Sequence, residues 1–186
     1  MNSVITRLTG MIVGIVIAAG SLSLFAVPAS AQEQESRYLV ELVIFRHLDQ
    51  SNTTREIKAQ GPLVIRNPSD GKTYSAAAAD FRQLNGAARQ IQNLQAYQLI
   101  RHLAWIQTAA NTDDAVHANL GAMGLNPSQV VGSARLYTRR YLHLDVQLGL
   151  QSTGGKIDNS RRIRLNQIHY FDNPDFGVLA LVSRAN

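Results

Sequence analysis

Cysteine is absent from all 186 residues. That absence removes disulfides, thiol catalysis, thiolate metal sites and redox switching together, and it leaves burial as the source of stability. It also excludes bacterial lipid attachment through a cysteine. The chain has no Gly-x-Ser-x-Gly turn, no His-Glu-x-x-His helix and no glycine-rich phosphate loop, so the common hydrolase, metallopeptidase and nucleotide-binding chemistries have no motif to stand on. No internal repeat or low-complexity tract is present. Acidic residues are the minority, 13 Asp and Glu against 18 Lys and Arg, for a formal charge of +5. A basic balance suits an anionic partner: a cell-wall polymer, a membrane surface or nucleic acid.

The N-terminal stretch carries Arg7, then an apolar run from Met11 to Val27, then Pro28 and a small-x-small site at Ala29-Ser30-Ala31. This pattern is that of a secretory signal peptide over residues 1–31, cut before Gln32. A retained membrane anchor is the alternative, but the run is short for a span of about 20 apolar residues. The exported part, residues 32–186, is long enough for one domain with a single core. Export makes nucleic acid the least suitable partner, and cleavage leaves no stable membrane insertion.

The cleanest period-two run is Arg139 to Leu150. Leu142, Leu144, Val146, Leu148 and Leu150 fall on one side, and Tyr141, His143, Asp145 and Gln147 on the other, as in a half-buried strand. Arg161 to Asp172 reads as its hairpin partner across a linker, Gln151 to Ser160, that holds Gly154 and Gly155. Tyr38 to His47 is apolar on both faces except for Glu41, so it reads as a central strand. A carboxylate there needs a partner. The arginines of the later strands are the expected ones, in a structural ion pair rather than a catalytic acid.

Leu48 to Lys72 reads as a long surface connection with a turn at Asn67 to Gly71. A helix follows, capped by Ser75 or Asp80, with Phe81, Leu84, Ala88, Ile91 and Gln95 on one face to about Leu94. Tyr97 to Gln107 fits either its continuation or a strand. The strand is preferred because the helix would run to about 30 residues, and it sets Tyr97, Leu99, Arg101, Leu103 and Trp105 on one face. Thr108 to Gly132 reads as connection, Asn173-Pro174-Asp175 as a tight turn, and Gly177 to Ser183 as the last strand. The expectation is an α+β single domain, a mainly antiparallel sheet with one principal helix packed on a face.

The chemistry-bearing residues gather around the hairpin. His143 and Asp145 stand two apart on one strand face, and His169 precedes Asp172, but no serine or third ligand accompanies either pair. Structural histidines are therefore favoured over a catalytic dyad or a metal site. Neither a metal nor a cofactor is expected. Arg139, Arg140, Arg161, Arg162 and Arg164 flank the hairpin, and neighbouring residues on a strand point to opposite faces, so at least one of each pair must look away from the core. Guanidinium forks match carboxylates and phosphates, or they simply keep an edge solvated. Tyr141, Tyr170 and Trp105 could stack on sugar faces.

Tyr38 to His47 behind a signal peptide, His102, Trp105 and Gln107 in the second run, Arg140-Tyr-Leu-His-Leu-Asp145, Arg161-Arg162, and Ile168-His169-Tyr170-Phe-Asp172-Asn-Pro174-Asp-Phe-Gly177 together resemble the CsiV family of gammaproteobacteria. The resemblance spans essentially all of residues 32–186. It implies a non-enzymatic periplasmic protein that binds peptidoglycan and promotes wall synthesis with a bifunctional penicillin-binding protein and its lipoprotein activator. No family binding residue transfers onto this chain. Arg139, Arg140, Tyr141, His143, Arg161, Arg162, Arg164, His169 and Tyr170 are the candidate ligand-binding set from the chain's own pattern, while Arg140, His143, Glu41 and His169 could instead form one buried polar network. A protein-interaction module without direct wall contact is the alternative, and a hydrolase using His143 and Asp145 a distant third.

Overall fold

A computed structural model describes residues 36–48, 65 and 71–185, all within one compact unit, Gln34–Asn186. The predicted signal peptide and most of the Leu48 to Lys72 connection lie outside the described residues. The strands are β1 (Arg37–His47), β2 (Tyr97–Thr108), β3 (Ala110–Asn111), β4 (Ala118–Asn119), β5 (Val130–Thr138), β6 (Leu142–Leu150), β7 (Lys156–Arg162), β8 (Ile168–Asp172) and β9 (Phe176–Arg184), with a helix, α1 (Asn85–Asn93), between β1 and β2. Among the described residues the strands are mainly antiparallel and there is a single α-helix, as the pattern predicts, but the sheet is divided in two. A four-stranded sheet runs β2-β1-β9-β8 and a five-stranded one runs β3-β5-β6-β7, with β4 also on β5. The parallel pairings among the described residues are β3 on β5, two residues long, and a single bridge between Lys72 and Ala118 of β4.

Alternation decides what each face meets. Val40, Leu42 and Ile44 of β1, Leu103 and Trp105 of β2, and Val178, Ala180 and Val182 of β9 pack against Leu136 of β5, Leu144, Val146 and Leu148 of β6 and Ile157 of β7. This is the inter-sheet core. The opposite face of β1 presents Val43 and Phe45 to Leu84, Ala88 and Ile91. Because both faces of β1 are covered, nearly all of it is buried, which accounts for its continuous apolar run.

Glu41 lies on the helix side with no exposure. Its partner is not an arginine. Its Oε1 accepts from His102 Nε2 at 2.6 Å and from Leu84 N–H at 2.8 Å, and its Oε2 accepts from Gln83 N–H at 2.8 Å. The carboxylate therefore serves the donors just ahead of the first turn of α1, where the helix dipole favours negative charge. Neither Ser75 nor Asp80 caps the helix, because α1 begins only at Asn85, after a 3-10 turn at Ala79–Phe81. Phe81 is consequently left exposed rather than on the buried face.

Tyr97 to Gln107 is a strand, but its face switches. The register with β1 shifts between Ile44 and Phe45 and leaves Ile100 as an extra residue. Such a bulge moves Tyr97 and Leu99 to the helix side, while Leu103 and Trp105 stay in the inter-sheet core. Trp105 is fully buried and donates to Gln107 Oε1 at 2.6 Å, so it offers nothing to a sugar.

β5 lies across residues read from the sequence partly as connection. Its Gly132, at φ 144°, is where the alternation is hardest to see, yet a Cβ there would collide with the Gln147 carbonyl of β6. The hairpin partner of β6 is also shorter and earlier than expected. β7 starts at Lys156 after a turn with Gly154 at φ 74°, and it ends at Arg162. A connection with Asn166 at φ 59° then carries the chain into β8 of the other sheet. The turn from β8 to β9 is as predicted, with Asn173 Oδ1 accepting from Asp175 N–H at 2.8 Å.

Candidate functional site

The turn joining β5 to β6 is Arg139-Arg140-Tyr141, closed by Arg139 N–H on the Tyr141 carbonyl at 3.0 Å. The register then sets Tyr137 beside His143 and His143 beside Arg162, one row across three strands. Leu136 and Leu144 of these strands face the core, so their neighbours in this row face away from it.

Two aromatic rings organise the row. Tyr137 is 5% exposed; His143 stacks on it with centroids 5.2 Å apart, and Arg135 and Arg139 lie 4.9 and 5.9 Å from its centre. Its hydroxyl meets Ser160 Oγ at 3.0 Å. Tyr141 is 40% exposed, with the Arg162 guanidinium 3.4 Å and that of Arg140 5.5 Å from its ring centre. Each such cation–π contact contributes roughly 0.5–1 kcal/mol at an exposed site. It holds the guanidinium over a ring while its N–H groups can still serve an acceptor.

Charge at this end is uncompensated. Among the described residues, ion pairs join His102 to Glu41, Arg135 to Asp145 and Lys156 to Asp158, and none involves Arg139, Arg140 or Arg162. Asp145 is taken up by Arg135, whose Nε and Nη2 both donate to Oδ2 at 3.0 and 2.7 Å. His143 Nδ1 donates to the Tyr141 carbonyl at 2.8 Å. The two members of the conceivable His143–Asp145 dyad are thus each committed elsewhere. Among the described residues no group of three or more His, Cys, Asp or Glu is arranged to hold a metal.

The sequence-derived set is divided by the fold. Arg139, Arg140, Tyr141, His143 and Arg162 come together. Arg161 points to the opposite side of β7, over the buried Phe171 ring at 5.1 Å, because adjacent strand residues alternate. Arg164 and His169 form a local clasp in which Arg164 N–H donates to His169 Nε2 at 3.1 Å. Tyr170 belongs to the other sheet, stacked on Phe45 with centroids 6.3 Å apart. Burial, together with the Asp172 carboxylate and Tyr97, raises its phenol above the ordinary 10.0. A single network of Arg140, His143, Glu41 and His169 is not formed, since each has separate partners on separate strands.

Tyr137 and Arg135 are neighbours of this candidate site that the sequence pattern did not bring forward. The signal was Arg135-x-Tyr137-x-Arg139, a period-two row on a strand left unassigned.

A family model described as CsiV, peptidoglycan-binding protein, matches residues 66–185. No curated protein and no solved structure shows a match.

Proposed function

The chain belongs to the CsiV family of peptidoglycan-binding proteins, and from that premise we propose that it is a non-enzymatic periplasmic accessory protein that holds the wall polymer at the turn between β5 and β6. The observation that carries this reading is the pair Arg140 and Arg162 over the half-open ring of Tyr141, with Arg139 beside them over Tyr137 and no carboxylate in ion-pair reach of the three among the described residues. Carboxylates of the peptide stems take the guanidinium forks, and a sugar face packs on the outer side of Tyr141. In this role the protein supports wall synthesis by a bifunctional penicillin-binding protein and its lipoprotein activator.

The test is co-sedimentation of the purified protein with sacculi over a salt series. Wild type pellets with the wall at low salt and is released as screening shortens the Debye length to about 8 Å or less. Arg139→Ala/Arg162→Ala reduces the pelleted fraction, whereas Arg161→Ala, on the other side of β7, leaves it unchanged. A folded wild type that stays in the supernatant at low salt would overturn the proposal.

A further inference from the structure

A second surface lies at the far edge of the four-stranded sheet. β2 is an edge strand, paired on one side with β1. Among the described residues its outer side is used only near its end, where Ala76 bridges Trp105 and Ala77 N–H donates to the Ala104 carbonyl at 2.8 Å. Ala78 then leaves for the 3-10 turn. Peptide groups alternate along a strand, so the N–H and C=O of His102 point to the same open side as the Ala104 carbonyl. Among the described residues they meet no backbone partner.

This open edge is the floor of a cleft of about 830 Å³. Leu48, Arg82 and Gln92 stand on its rim, and Arg101 and Met123 also line it. The Arg101 guanidinium lies against Gly124, where a Cβ would meet Nη2 at 2.8 Å. Arg82 is tied to the Ala77 carbonyl at 3.3 Å through Nη2. Neither arginine has a carboxylate partner among the described residues. β7, the free edge of the other sheet, is blunted by Lys156, Asp158, Arg161 and Arg162 and is exposed along nearly its whole length.

We infer that the β2 edge receives an extended, acidic segment of a partner protein as an added strand, continuing the short ladder begun at Ala76–Ala77. Main-chain bonds to His102 and the residues before it supply affinity, and the two arginines select acidic side chains. Wall peptides, which mix D and L centres, cannot keep a regular period-two register along such an edge. The partner is therefore an all-L chain, and the site is separate from the Tyr141 turn.

The test uses the full chain and a fluorescent peptide, acetyl-Val-Glu-Val-Thr-Val-Glu-Val-amide. Saturable binding is expected, weakened about tenfold or more by Arg101→Glu and by N-methylation of alternate peptide amides, which removes one ladder edge without touching the protein. Circular dichroism and sacculus co-sedimentation of Arg101→Glu should match wild type. Equal binding of the N-methylated peptide would overturn strand addition, as would no binding of the parent peptide. Sedimentation velocity showing a dimer that Arg101→Glu dissolves would overturn it in favour of a second copy of this chain.

Discussion

Glu41 and His102 share a hydrogen bond of 2.6 Å between neighbouring strands, and the same carboxylate accepts from the backbone of Gln83 and Leu84. One fully buried side chain thereby fastens the start of α1 to the sheet. Leaving a buried donor without its acceptor costs about 1–3 kcal/mol per group, and Glu41→Ala would orphan His102 Nε2 and two peptide donors together. Glu41→Ala is therefore expected to lower stability by at least about 3 kcal/mol in urea titrations. Glu41→Gln, which keeps an acceptor oxygen, should lose less. Equal and small losses for both would show that the carboxylate does not carry the junction.

Tyr141 and Tyr170 are exposed to similar extents, 40% and 41%, but only the first has guanidinium groups around it. Tyr141→Ala is expected to weaken sacculus binding about tenfold, equivalent to about 1.4 kcal/mol. Tyr170→Ala, on the other sheet, should leave binding unchanged. Co-sedimentation isotherms distinguish the two. A loss confined to Tyr170→Ala would move the wall contact to the four-stranded sheet.

Two glycines separate conformational strain from crowding. Gly154, at φ 74°, has open space where a Cβ would stand, so Gly154→Ala should cost about 1 kcal/mol from backbone conformation alone. Gly132, at φ 144°, is pressed against the Gln147 backbone, so Gly132→Ala should cost at least about 2 kcal/mol. Thermal unfolding of the pair tests the order. The reverse order would mean that β5 and β6 can part without loss.

Tyr74 and Tyr170 both hold their phenol protons more tightly than the ordinary 10.0, Tyr74 through burial and Tyr170 through burial with Asp172 and Tyr97. A folded-state value raised above the unfolded one gives stability that is fully present below about pH 10 and is lost as pH rises through the folded value. In absorbance titration of tyrosinate, Tyr74→Phe and Tyr170→Phe should each delete a late-titrating phenol. Each should also make stability less steeply dependent on pH above 10. Loss of an early-titrating phenol instead would contradict the surroundings described for these two rings.

Much of the strand content was legible, for local reasons. β1, β6 and β9 carry apolar alternation or a doubly buried run, and Leu144, Val146, Leu148 and Leu150 of the β6 alternation are all buried. Long-range events were not legible. The bulge at Ile100 turns Tyr97 and Leu99 to the other face through a register choice that depends on β1. The helix cap comes from Glu41, more than 40 residues away from Gln83 and Leu84. Arg161 to Asp172 reads as one strand because no glycine or proline marks the crossing near Asn166. For the candidate site, the arginine–tyrosine turn was readable, but Tyr137 and Arg135 were hidden with β5, and Arg161, Arg164, His169 and Tyr170 were dispersed by side alternation and the change of sheet.

The pairing of β1 with β9, from Tyr38 on Arg184 to Arg46 on Phe176, joins the first described strand to the last. Without β9, β8 has no neighbour in its sheet and β1 has only β2. A chain delivered N-terminus first therefore holds β1 half-paired until β9 has emerged, and the loop closed by that contact contains every other described strand. The order of arrival makes β5-β6-β7 the module able to assemble early. Completion of the fold waits on β9, and loss of that strand alone would cost a sheet rather than an edge.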